Sequence, residues 1–272
     1  SIEVVSIAVG QINSAVQLSD ADGDTKVMVE ESSDEDKIRF DTGGTERAII
    51  DSTGLGLGTS SPAEKLEVAG NIFVNTSGNP NLTVKTSGAG NNPYVRIQAD
   101  TNYWDLQTLF SNANDELDFR YNGTSTLKID NAGHVTKPLQ PSFAARRNGN
   151  LSGFNPSSLT TILVYNLEFE DRNSDYDTST GLFTAPVDGT YWFQGSIYSN
   201  YTFQQGWLVV NGSRMNFSDV AYGSLYAVFT ATYYIELDAN DTVGFHPYKG
   251  GETSVLIYDN NHHTYFRGGL LY

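Results

Sequence analysis

The chain has 272 residues, 32 Asp and Glu against 16 Lys and Arg, a formal net charge of −16, and no cysteine. That charge repels phosphate backbones, so nucleic acid is an unsuitable partner, and disulfide or thiolate chemistry is excluded outright. No apolar run reaches the roughly eighteen residues a membrane-spanning helix needs.

Helix signals are nearly absent. Tyr, Phe, Thr, Val and Ile occur in short runs divided by Gly, Asn, Asp and Ser, which reads as all-β, in a length that accommodates two modest domains. The first residue is Ser rather than Met and no signal peptide precedes the first strand pattern, so a processed product or fragment is expected.

The first half repeats itself. Shifted by 79 residues, Val16 falls on Val95, Val27 on Leu106, Ile38 on Leu117, Phe40 on Phe119, Gly44 on Gly123, Ile50 on Ile129 and Asp51 on Asp130. Each copy, near 16–57 and 95–136, reads as strand, turn, strand, turn, then Ile-Asp-x-x-Gly. Gly43-Gly44 and Asn122-Gly123 are hairpin turns. The apolar positions are too sparse for one copy to be stable alone, so copies must stack or associate with neighbouring chains.

Asp20-Ala-Asp-Gly-Asp24 alternates oxygen ligands about a glycine, but no helices flank it and the second copy lacks the carboxylates. A solvated hairpin turn is the better reading. Thr53–Thr59 (TGLGLGT) lacks the strand and long helix of a phosphate loop; its glycines suit close backbone approach around a common axis. Ser61-Pro-Ala-Glu64 has capping-box chemistry and predicts a single helical turn. Asp51–Val74 as a whole resembles a repeat of trimeric bacteriophage tail fibres, one residue short before Gly56-Leu-Gly-Thr59.

Lys137-Pro-Leu-Gln-Pro141 marks the junction, its two prolines stopping strand pairing. Beyond it, Tyr165, Asp171, Tyr176, Phe183, Gly189, Tyr191 and Phe193 stand at intervals that resemble the signature of the complement 1q and tumour necrosis factor head domain. Leu237–Phe245 resembles that family's turn before its penultimate strand, and Phe266–Tyr272 its closing strand. Tyr165 departs from the family's usual Phe, and Gly195 from a further aromatic. Pro186-Val-Asp-Gly189 is read as a turn with Gly189 free to go left-handed.

The resemblances imply an all-β molecule: an intertwined trimeric shaft over 1–137, with β-helix as a related architecture, and a trimeric ten-stranded jelly-roll head over 138–272. By the same analogy Tyr191, Phe193, Phe266 and Leu270 serve core and trimer packing.

No nucleophile, base and orienter set is visible, so no catalytic residue is assigned and no enzyme is expected. Metal sites are equally thin. Asp171 and Asp175 in an acidic head loop, and His262 beside His263, are candidate ligands for a structural calcium or other ion, with solvated loops as the plainer reading. No other cofactor is expected. Asn81, Asn150 and Asn216 sit in Asn-x-Ser/Thr sequons that are also ordinary turn sequences.

Aromatic residues in polar, loop-like contexts are the strongest binding signal. Tyr201, Phe203, Trp207, Tyr222, Tyr226 and Tyr248, with His262, are the candidate receptor-binding residues, because rigid amphipathic rings beside Asn, Gln and Gly suit sugar or protein recognition. Half of such aromatics are expected in the core. The resemblances together imply a homotrimeric virion tail-fibre or spike tip, extracellular and not membrane-inserted. Its expected partners are an upstream tail or baseplate component and a host-surface glycan or outer-membrane receptor, bound multivalently. The alternatives are a secreted or surface ligand for a protein receptor, and a polysaccharide depolymerase.

Overall fold

The computed structural model describes residues 17–29, 31–87, 91–109, 115–158, 161–219, 226, 228–259 and 263–272. Every element assigned among them is a strand. The chain separates into two compact units, Ser1–Thr83 and Val84–Tyr272.

In the first unit β1 (Gln17–Ser19), β2 (Lys26–Met28), β3 (Ile38–Thr42), β4 (Thr45–Ile50), β5 (Leu55–Leu57) and β6 (Leu66–Val68) form one sheet in sequence order. All neighbours are antiparallel except β5 and β6. The second unit opens with β7 (Tyr94–Ala99), β8 (Asn102–Leu109), β9 (Glu116–Tyr121), β10 (Thr124–Ile129) and β11 (Val135–Thr136), an antiparallel meander. These are not coils of a β-helix. Gly43 and Gly44 (φ 57° and 71°) and Asn122 and Gly123 (φ 46° and 83°) turn each chain segment straight back on itself.

The repeat is structural to the residue. Val27 pairs with Phe40 and Ile38 with Ile50; 79 residues on, Leu106 pairs with Phe119 and Leu117 with Ile129. Both copies carry a register shift at the same place, between Phe40 and Asp41 on one side and Ser125 and Leu127 on the other. Asp51 and Asp130 each accept backbone N–H bonds two to four residues ahead, but the turn after Asp130 is one residue longer: Ile50 pairs with Leu55, whereas Ile129 pairs with Val135. The first hairpin also differs, with a six-residue connection at Asp20–Thr25 against two residues at Asp100 and Thr101.

Ser61–Glu64 forms bends rather than the expected helical turn. Ala63 N–H donates to the Glu67 side chain, at Oε2, at 2.7 Å. The glycines of Thr53–Thr59 allow an approach within the chain itself. A Cβ on Gly54 would lie 2.3 Å from Glu64 O, and one on Gly56 2.7 Å from Thr59 O.

The head follows as β12 (Ser142–Arg146), β13 (Leu151–Phe154), β14 (Leu167–Asp171), β15 (Tyr176–Asp177), β16 (Leu182–Thr184), β17 (Gly189–Tyr198), β18 (Gln205–Val210), β19 (Ser213–Asp219), β20 (Val228–Leu237), β21 (Thr242–Tyr248), β22 (Val255–Ile257) and β23 (Tyr265–Leu270). One five-stranded sheet runs β14-β12-β23-β17-β20 and the other β15-β16-β21-β18-β19, with β13 and β22 as a separate ribbon. The first and last strands of the head are thus neighbours, and their inward residues close one core. Phe266 touches the rings of Phe143, Tyr165, Tyr176, Phe193 and Phe245.

The two departures from the family pattern have different consequences. A Cβ on Gly195 would lie 2.5 Å from the Phe245 ring, so the space of the missing aromatic is filled from the opposite sheet. Tyr165 is fully buried, and its hydroxyl has no hydrogen-bond partner among the described residues. Gly189 is required for space rather than for a left-handed turn, since a Cβ there would meet Leu270 Cδ1 at 2.6 Å and Tyr272 O at 2.8 Å.

Candidate functional site

Strand β17 sets the geometry of the head. Its start, at Gly189 and Thr190, is bound to the chain end, with Thr190 N–H donating to Tyr272 O at 2.9 Å. Lys137–Pro141, the junction expected from the sequence, lies inside the second compact unit and is fastened there too: Leu270 N–H donates to Pro141 O at 3.0 Å, and Gln140 Nε2 to Leu270 O at 2.6 Å. Ten residues later, roughly 30 Å along an extended strand, β17 ends at Tyr198. The head therefore has a junction end and a far end.

Two cavities flank the junction. One of about 550 Å³ is bordered by Lys137, Ser142, Arg172, Trp192 and Gly269; the other, about 520 Å³, by Leu139, Pro186, Val187, Leu271 and Tyr272. None of the sequence-predicted binding residues borders either of them.

Those residues are placed as follows. Phe203 is 4% exposed and belongs to the core, which removes it as a surface contact. Tyr201 is half-buried against the same core. Trp207 and Tyr248 are brought together by the β18–β21 register, and the Arg214 guanidinium lies over both rings, 4.3 Å and 5.5 Å from their centroids. Tyr222 and His262 lie outside the described residues. Tyr191, Phe193 and Phe266 are fully buried in the core and Leu270 packs against it.

Tyr226 is 59% exposed and joins a group the sequence did not bring together. Its ring centroid is 6.1 Å from that of Tyr258; Tyr258 is 5.2 Å from Tyr198; Tyr198 is 6.0 Å from His263. Buried Thr264 holds the centre of this group. Its hydroxyl donates to Tyr258 O at 2.7 Å and accepts from Tyr198 N–H at 3.0 Å. Tyr258 N–H in turn donates to Tyr198 O at 2.9 Å. The four rings come from the end of β17, the segment before β20, the end of β22 and the segment before β23. No period-two pattern could have linked them.

The metal candidates fare differently. Asp171 spends both carboxylate oxygens on the N–H groups of Asp175 and Tyr176, at 3.0 Å each. Burial pushes the Asp175 carboxyl up. Neither belongs to a group of three potential ligands among the described residues. The one such group is Asp20, Asp22 and Asp24, all exposed. There Asp20 Oδ1 accepts from Gly23 and Thr25 N–H, the turn role expected of it, and those backbone bonds hold its carboxyl below the usual range.

His246 is buried on β21 with Nδ1 against Thr161 O, and burial lowers its pKa so that it stays neutral. Among the described residues no base, nucleophile and orienter converge around it.

Two antiparallel five-stranded sheets closing on an aromatic core, with first and last strands adjacent, define a jelly roll of the complement 1q and tumour necrosis factor type. Residues 142–271 match the family model of the C1q domain. Among solved structures, the globular domain of zebrafish complement 1qA is 20% identical, covering 49% of this chain and 98% of that one, with a TM-score of 0.37. Murine APRIL is 11% identical over 48% of this chain and 99% of that one (TM-score 0.36), and rabbit GITRL 12% over 48% and 94% (TM-score 0.31). No curated protein matches the sequence.

Proposed function

We propose that the chain is a homotrimeric, extracellular adhesion protein of the virion tail-fibre or spike-tip kind, whose head binds a host-surface glycan or outer-membrane component without catalysis. C1q-like domains are generally binding modules, and the match over 142–271 supports that part of the reading.

The observation that carries the rest is a row of apolar side chains left partly or largely exposed on each repeat sheet. Leu18, Val27, Phe40, Ala48, Leu57 and Val68 form one cross-strand row over the whole first sheet, and Val95, Leu106, Phe119 and Leu127 its counterpart in the second. In the single chain Leu18 is 75% and Leu106 41% exposed, whereas Asp118 is fully buried on the opposite face of the second sheet, with Ser125 Oγ donating to it. A contiguous apolar face of this kind marks an association surface. Burying one Leu or Phe is worth about 1.5–3 kcal/mol. Neither collagen triplets nor coiled-coil heptads occur to join the chains instead. The Asp51–Val74 resemblance to tail-fibre repeats points the same way, with a tail or baseplate component expected upstream.

The test is whether the fluorescently labelled full chain stains particular bacterial cells and blocks infection of them by a phage. The C1q match also favours a second reading, a secreted or surface ligand for a protein receptor. Periodate treatment of the cells abolishes staining where the receptor is a glycan; protease-sensitive staining marks a protein receptor, which belongs to the first reading where the labelled chain also blocks phage infection and to the second where it does not.

A further inference from the structure

The head carries four rings at its far end that join neither the core nor any ion pair among the described residues, and this inference about them rests on the adhesion reading. From the Tyr198, Tyr226, Tyr258 and His263 group we infer a platform for the pyranose rings of a surface oligosaccharide.

Position comes first. β17 runs away from the junction, so Tyr198 stands at the opposite end of the head from Pro141, Leu270 and Tyr272. In a head carried on an upstream shaft, that end is presented to a surface.

Rigidity comes second. The backbones of Tyr198 and Tyr258 are fixed to one another by three hydrogen bonds, two of them through the Thr264 hydroxyl, so the segments that carry the rings lose little entropy on binding.

The third observation is strain. Tyr226 has φ 65°, a left-handed conformation that costs a side-chain-bearing residue free energy. Glycine would relieve it, yet the position holds a tyrosine, 59% exposed, with its ring centroid 6.1 Å from that of Tyr258. An exposed ring kept at a cost to the fold is better explained by contact than by packing.

The chemistry of the rim completes the argument. Next to Tyr258, Asp259 Oδ1 accepts from Arg146 Nη1 at 3.3 Å and Oδ2 from Gly149 N–H at 3.1 Å, while Asn150 Oδ1 accepts from Asp259 N–H at 3.0 Å. Tilted rings 5.2–6.1 Å apart offer electron-rich faces to the axial C–H groups of a sugar. The flanking carboxylate, amide, guanidinium and phenol groups can exchange hydrogen bonds with its hydroxyls. An acidic ligand would meet Asp259 and the chain's net negative charge, so neutral or amino sugars are the expected class.

The experiment uses the full chain and two variants, Tyr226→Gly and Tyr258→Leu, on a printed array of gluco-, galacto- and N-acetylglucosamine oligosaccharides, with melting temperatures measured in parallel. The wild type is expected to bind at least one of these sugars. Tyr226→Gly should weaken that binding by about tenfold or more while its melting temperature holds or rises, because strain is released along with the ring. If the wild type binds and both variants bind equally well, the platform is wrong and the adhesion reading stands. If the wild type binds no sugar yet stains cells, the ligand class is wrong. If it binds neither sugars nor any cell, both fall.

Discussion

Gly195→Ala tests whether the head core is as tightly closed as the geometry implies. Gly195 lies mid-strand on β17, paired with Ala231 on one side and Phe266 on the other, so the backbone has no freedom to withdraw. An added Cβ would stand 2.5 Å from both Cγ and Cδ1 of Phe245 and 2.6 Å from Cε1. That ring is fully buried and packed against Phe229, Tyr233 and Phe266 at 6.2–6.3 Å between centroids, so it cannot rotate away cheaply. Overpacking of this kind costs about 1–3 kcal/mol, and the contact places it in the upper half of that range. For a head of this size a loss of about 2–3 kcal/mol lowers the melting temperature by roughly 6–15 °C. Calorimetry on the full chain measures it. In a Phe245→Leu background the same substitution should cost under about 1 kcal/mol, because the ring edge it meets is gone. Gly212→Ala is the control: nothing lies within 4 Å of its Cβ, but φ is +76°, so the cost is strain alone, about 1 kcal/mol. A Gly195→Ala protein melting within about 2 °C of wild type, or no rescue by Phe245→Leu, would refute the packing argument.

Four further outcomes follow from the same structure. Tyr165→Phe should stabilise the head by about 1 kcal/mol, since it removes a buried hydroxyl without a partner among the described residues; a loss of stability in denaturant titration would show that the hydroxyl is satisfied. His246 has a folded pKa below its unfolded value of about 6.5, so protons favour the unfolded head and stability should fall as pH drops below that value. In the first unit, hydrogen bonds from Arg39 hold Glu35 at about 2 rather than 4.5, so its contribution should persist to pH 4.5 and fade towards pH 2. Thermal scans from pH 7.5 to 2 separate the two, and His246→Phe should abolish the upper decline. Leu106→Glu, at a residue 41% exposed in the single chain, should leave the circular dichroism spectrum unchanged and weaken self-association by sedimentation.

Much of this architecture was legible in the sequence, for physical reasons. The 79-residue self-match became equal cross-strand registers because Gly43-Gly44 and Asn122-Gly123 fix hairpin register locally. The alternation of Tyr191 and Phe193 marked β17, and both rings point into the core. Ser61–Glu64 misled because capping chemistry is local, while Glu67 and the parallel pairing of β5 with β6 decided that segment. Phe203 looked like a loop contact among polar neighbours and is core, since burial depends on the opposite sheet. The Tyr198, Tyr226, Tyr258 and His263 group was invisible because its members come from four separate segments. Only Tyr226 stood out beforehand, as an aromatic among Gly, Ser and Ala.

The account depends on the exposed apolar rows of the repeat sheets finding copies of themselves. Sedimentation velocity of the full chain at micromolar concentration tests this most directly. A species of three times the chain mass is the predicted result; a stable, folded monomer at that concentration would contradict it.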